Sequence, residues 1–138
     1  MAIEKGLNPF SFPANVDLSA KENYLVTLSS DGEVAVAATK GAVVLGVVTN
    51  DPASTGRAAM VQMIAGTVVK VACTTVAAGA PAIAVGSRMI NSTLAGRARA
   101  SSTGGTAYVF GRSLATLSTE LSGILPILIT HEGVTSES

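Results

Sequence analysis

Few side chains in this sequence have the type and spacing that chemistry demands. His131 is the only histidine, and Glu132-Gly133-Val134-Thr135 after it lacks the second histidine of a zinc-binding His-Glu-x-x-His helix. A lone histidine in a polar terminal stretch is expected to be solvated. Cys73 is the only cysteine, so no internal disulfide can form, and a Cys-His nucleophile pair would have to use that same histidine. Set among Val and Ala, Cys73 reads as an inert, small apolar group. Gly105 and Gly111 with Arg112-Ser113 imitate a phosphate loop, but the spacing is one residue too long and Arg stands in place of Lys. Asn91-Ser92-Thr93 matches the glycosylation sequon, which is idle without export. Asp17, Glu22, Asp31, Glu33 and Asp51 are spread over turns, as solubilising carboxylates are, so neither a metal nor another cofactor is expected. Arg97 and Arg99, two apart, read as charges on one face of a solvated sheet edge. No catalytic set emerges, and the chain is not expected to be an enzyme.

Composition points elsewhere. Of 138 residues, 13 % are charged, about half the usual share, while 48 % are apolar. So little charge suggests a surface covered by copies of the chain or by a partner. Nine basic residues balance nine acidic ones, which gives no electrostatic support for nucleic acid or an anionic membrane as partner. Two Tyr, three Phe and no Trp leave few platforms for stacking bases or sugars. The first residues lack a basic stretch followed by an apolar core, and the apolar run Ile124–Ile129 is far short of a membrane span, so a soluble, unexported protein is expected.

The elements read almost entirely as strands. Ala42–Thr49 is a β-branched apolar run between turn signals, Lys40-Gly41 before it and Asn50-Asp51-Pro52 after it. Apolar residues at successive positions predict a strand covered on both faces, and Gly46 within it predicts a close backbone approach. Tyr24–Ser30 and Glu33–Ala38 form a hairpin across Asp31-Gly32. Ala59–Ile64 and Thr67–Ala72 flank a turn at Gly66, and Val76–Pro81 is a connector. Leu114, Leu117 and Leu121 could share one face of a short helix over 114–121, weakened by Thr116, Ser118 and Thr119. Before Tyr24 the composition changes. Asn8-Pro9-Phe10-Ser11-Phe12-Pro13 favours an extended arm over residues 1–23, because each proline fixes its own φ and restricts its predecessor. Phe10 and Phe12 would project to one side, either capping the domain's own core or anchoring on a partner. Residues 131–138 read as a frayed tail.

The pattern repeats. Gly32, Gly41 and Gly46 stand against Gly96, Gly105 and Gly111, displaced by 64 or 65 residues, and Val61-Gln62-Met63 stands against Ile127-Leu128-Ile129. Two related strand units, about 24–73 and 82–130, are therefore expected within a β domain over 24–130.

These residues also resemble a known family. Ala37-Ala38-Thr39-Lys40-Gly41, Val44-Leu45-Gly46-Val47, the loop to Gly56, Ala65-Gly66-Thr67-Val68 and Gly79-Ala80-Pro81 carry the first part of the likeness. Val109-Phe110-Gly111-Arg112-Ser113-Leu114-Ala115-Thr116 and the closing Leu125-Pro126-Ile127-Leu128-Ile129 carry the rest. Over roughly Asp17 to Thr130 the chain is similar to the capsid decoration, or cement, proteins of tailed bacteriophages. The resemblance implies an all-β fold, a small barrel or sandwich with at most one short helix. It also implies a homotrimer on the outer surface of an expanded icosahedral head, assembled in the host cytoplasm and bridging major capsid subunits. Asn8, Pro9, Phe10, Phe12 and Pro13 are the expected capsid contacts, ordering on binding. The competing expectation is a carbohydrate-recognising β module of a phage fibre or other surface structure.

Overall fold

A computed structural model describes residues 10–29, 32–52, 55–76, 79–102 and 106–136. They form ten strands and no α-helix: β1 Phe10–Pro13, β2 Leu25–Leu28, β3 Val34–Val36, β4 Gly46–Val48, β5 Ala58–Gln62, β6 Val68–Thr74, β7 Arg88–Asn91, β8 Ala98–Ala100, β9 Thr106–Ser113 and β10 Ser122–Ser136. The first five make a sheet in the order β1-β5-β4-β2-β3, and the last five close a barrel in the order β10-β6-β8-β7-β9. The fold is all-β, as the apolar, β-branched runs dictate.

The two sets share one connectivity. In each, a hairpin (β2–β3, β7–β8) lends its first strand to the next strand in the chain (β4, β9), which pairs with the last (β5, β10), all antiparallel. The opening strand of each set, β1 or β6, then pairs with that last strand. Even the closures correspond, since β6 meets β8 in parallel at Cys73 and Ala98, and Ala14 after β1 bridges Val34 of β3 in parallel. Gly32 and Gly96, in the two hairpin turns, both have φ of 75°.

Several boundaries differ from the sequence expectation. Residues 10–14 are no free arm, because β1 pairs with β5 from Phe10↔Val61 to Pro13↔Ala58, and Ala14 and Leu18 are fully buried. The first set therefore starts at β1 and ends at β5, not at 24 and 73. Gly66 does turn the chain, with Thr67 N–H donating to Ile64 C=O at 3.2 Å, but it carries the chain from the sheet into the barrel. The 114–121 helix does not form. Ser113 Oγ bonds the Ala115 carbonyl and accepts from its amide, Leu117 exchanges backbone hydrogen bonds with Ile83, and Glu120 has φ of 64°. Hydroxyl side chains here compete for the bonds a helix would need. Residues 131–136 are strand, since β9 pairs with them from Val109↔Gly133 to Thr106↔Ser136 after a break in register past Ile129. Asp31 lies outside the described residues.

One apolar core spans both sets. Leu25, Ala37, Val44 and Val47 of the first pack with Val71, Met89, Phe110, Ile127 and Ile129 of the second, while Val26, Val34, Val48 and Val61 form a smaller cluster beyond. Backbone bonds staple the seam. Leu25 N–H donates to Gly96 C=O (2.7 Å), Gly96 N–H to Ala37 C=O (2.8 Å), Ala72 N–H to Asn23 C=O (2.9 Å) and Gly41 N–H to Asn91 C=O (2.9 Å). The buried Asn91 amide adds donors to Ala37 C=O and Thr39 C=O.

Gly46 and Gly111 hold matching places. A Cβ on Gly46 would lie 2.3 Å from the Gln62 carbonyl oxygen, and one on Gly111 2.5 Å from that of Leu128. Gly46→Ala or Gly111→Ala is expected to cost about 1–3 kcal/mol through forced backbone displacement. Gly123→Ala, whose nearest neighbour would be Leu117 Cδ1 at 3.7 Å, should stay within about 0.5 kcal/mol of the parent in a urea titration. Equal midpoints for all three variants would refute the close-approach account.

Candidate interaction surface

Of the expected contact residues, Asn8 and Pro9 lie outside the described residues. Phe10, Phe12 and Pro13 stand on β1. Phe10 is 49 % exposed, whereas Phe12 packs against the cluster of Ala14, Val26, Val34 and Val61, so the two aromatics divide between outward display and core capping. Other large apolar side chains are also open to solvent, among them Leu28, Val43, Val68, Val85, Ile124 and Val134. On the outer barrel face Ile124 stands opposite Ala72 and Leu128 opposite Val68 across β10 and β6.

The polar residues are engaged in structure. Arg99 is not at a solvated edge: it is 2 % exposed, with Nη2 donating to Gly79 C=O at 2.9 Å and to Ser102 Oγ at 3.0 Å. β8 is covered on both faces because the barrel closes over it, which a period-two reading of Arg97 and Arg99 could not show. Arg97 lies beside the Tyr24 ring, 5.7 Å from its centroid, and its Nε and Nη2 donate to the Tyr24 hydroxyl, while Lys21 approaches the same ring at 5.1 Å. His131 is half-buried and hydrogen-bonded within the protein rather than free in a frayed tail. Its Nε2 lies 2.7 Å from the Met63 carbonyl, which can only accept, so Nε2 carries a proton. Nδ1, 2.7 Å from the Tyr108 hydroxyl, then accepts from it when the ring is neutral. The register break in β10 and a φ of 48° place His131 there, and neither is visible in composition. Burial raises the Tyr108 hydroxyl above its ordinary pKa.

Arg112 and Glu132 form a two-pronged pair, Nε to Oε2 at 2.6 Å and Nη2 to Oε1 at 2.9 Å. The guanidinium, with a further bond from Thr130, holds the Glu132 carboxyl below its usual range. Among the described residues no three His, Cys, Asp or Glu side chains gather as metal ligands do.

One cavity of about 500 Å³ lies where the two strand sets meet, lined by Thr27, Leu28, Val43, Val44, Leu45, Met63, Tyr108 and His131. Apart from the Tyr108–His131 pair and Thr27 its walls are apolar. Composition and spacing carry no sign of it, because its two sides come from residues far apart in the chain.

No protein-family model matches the chain, and no curated protein matches it.

Two measurements check this description. Burial pushes the Cys73 thiol up to about 12, so a thiol reagent at pH 8 should leave the native protein unlabelled and modify it on unfolding. Rapid native labelling would contradict the buried placement. Glu132, with its folded pKa depressed, contributes stability that is complete above about pH 4.3, the ordinary glutamate value, and is lost as pH falls through the lower folded value. The pair is partly exposed, so the contribution is at most about 1 kcal/mol. Arg112→Met should flatten that part of the acid limb in a pH series of urea midpoints, and an unchanged limb would contradict the assignment.

Proposed function

We infer that this chain is a virion structural protein that binds the outer surface of an expanded icosahedral phage capsid as a homotrimer and bridges major capsid subunits. The observation that carries this reading is a small all-β molecule with 13 % charged residues and large apolar side chains left open on both strand sets. Such a surface is suited to being covered. The polar groups that sequence alone would offer to chemistry are instead spent on structure: His131 on Met63 and Tyr108, Arg99 on Gly79 and Ser102, and Arg112 on Glu132. The sequence likeness to decoration proteins supplies the specific partner.

The work of such a protein is thermodynamic. A chain that binds the expanded lattice and not its precursor stabilises the expanded form by linkage, and many modest contacts repeated over a shell add up. Phe10, projecting from β1, is the aromatic of the expected contact set best placed to reach a shell, as a side chain anchored on a sheet rather than on a loose arm.

Co-sedimentation with expanded and unexpanded capsids tests this reading, alongside light scattering of the free chain. Binding to expanded shells alone, with trimers in solution or on the shell, is expected. Phe10→Ser should lower occupancy about tenfold if that ring is a central anchor. Failure to bind expanded shells, or equal binding to both forms, would overturn the reading.

A further inference from the structure

The cavity where the two strand sets meet has a definite polarity. Leu28 and Val43 stand at its mouth, 52 % and 59 % exposed, while Val44, 1 % exposed, belongs to the main core behind it. Leu45 and Met63 supply further apolar wall, and no Asp, Glu, Lys or Arg lines it. A charged group entering would lose its hydration without gaining a counter-ion.

The polar side chains of the lining are Thr27, Tyr108 and His131, and their hydrogen-bonding capacity is unequally spent. His131 is fully used, with Nε2 donating to the Met63 carbonyl and Nδ1 accepting from the Tyr108 hydroxyl. That bond commits the Tyr108 proton and leaves its oxygen able to accept. The Thr27 hydroxyl, on β2, makes no hydrogen bond among the described residues and can take either role. The complementary occupant is therefore neutral, mostly apolar, and carries a donor.

We propose that this cavity binds a neutral, single-ring phenol, its hydroxyl donating to Tyr108 Oη and its ring lying among Leu28, Val43, Leu45 and Met63. A flat ring suits the Met63 thioether, which packs favourably against aromatics, and unlike an aliphatic alcohol it has little internal freedom to lose. A volume of about 500 Å³ falls within the range of small-molecule sites and leaves room for ring substituents. A second copy is a poorer occupant. Its exposed large apolar side chains, such as Phe10, Val68 and Ile124, would leave the Tyr108 acceptor without a donor. Its one tyrosine outside the cavity, Tyr24, is already held by Arg97 and Lys21. Phenol binding does not rest on the capsid reading, and either can fail alone.

The test is a titration of the isotope-labelled full chain with p-cresol, toluene and p-toluate, followed by amide shifts and the His131 ring shifts. p-Cresol should shift Thr27, Leu28, Val43, Met63 and Tyr108 together, with a Kd on the order of millimolar. Toluene, which lacks the hydroxyl, should bind at the same residues about fivefold more weakly, and charged p-toluate about tenfold or more weakly than p-cresol. Tyr108→Phe should bring p-cresol down to the affinity of toluene and leave toluene unchanged, which a general loosening of the cavity would not do. If that variant fails to fold, the comparison of the three ligands on the parent chain decides alone. Absence of shifts at these residues with p-cresol at about ten times the expected Kd would overturn the proposal. So would equal affinity of the parent for p-cresol and toluene, or a preference for p-cresol that survives in folded Tyr108→Phe. Shifts at the same residues that grow with protein concentration alone would make another copy the occupant and overturn it too.

Discussion

The seam between the two strand sets is the constraint on which the rest of the molecule depends. Leu25 and Ala37, at the open end of the first hairpin, are bonded to the backbone of Gly96 in the turn of the second, and only a residue without a side chain fits there. A Cβ on Gly96 would meet Val36 at 2.6 Å and Tyr24 at 2.7 Å, and its φ of 75° already favours glycine. Either set alone is small for an independent core. Joined at this turn, they bury Leu25, Val44 and Val47 together with Phe110 and Ile127 in a single cluster. Asn91 completes the joint from the side, its buried amide donating a second hydrogen bond to the Ala37 and Thr39 carbonyls, which also accept from the Gly96 and Ala42 N–H groups.

A joint made of main chain and small residues leaves a particular kind of exterior. Charged groups that do exist are partly consumed inside, as Arg99 is, or locked in local pairs, as Arg112 is with Glu132. The outer faces of β6 and β10 then carry Val68, Ile124 and Leu128 around the exposed Lys70, and β1 displays Phe10. The adhesive role proposed above accounts for both the sparse charge of the sequence and the apolar side chains on the sheets.

Much of the fold was legible in the sequence. Alternation and β-branched runs located the first hairpin and, within Ala42–Thr49, the strand Gly46–Val48, though not the second hairpin, β7–β8; Gly46 announced the close approach of Gln62 because a glycine inside a covered strand has few other reasons to be there. The recurrence of Gly32, Gly41 and Gly46 as Gly96, Gly105 and Gly111 pointed to a repeated arrangement, though not to its limits. Those limits were hidden because strand membership is decided by long-range pairing: β1 owes its place to β5, and the last residues of β10 owe theirs to β9. His131 was hidden for the same reason, since its partners, Met63 and Tyr108, are distant in the chain and its position follows from a break in register. Arg99 misled because two arginines two apart look alike at an edge strand and in a closed barrel.

The most direct measurement of the adhesive account is amide hydrogen exchange across the whole chain, free and bound to expanded shells. Slowed exchange concentrated on β1 and on the outer faces of β6 and β10, with the seam at Gly96 and Asn91 equally protected in both states, is the result this account predicts. Identical exchange in the two states, or protection confined to the seam, would contradict it.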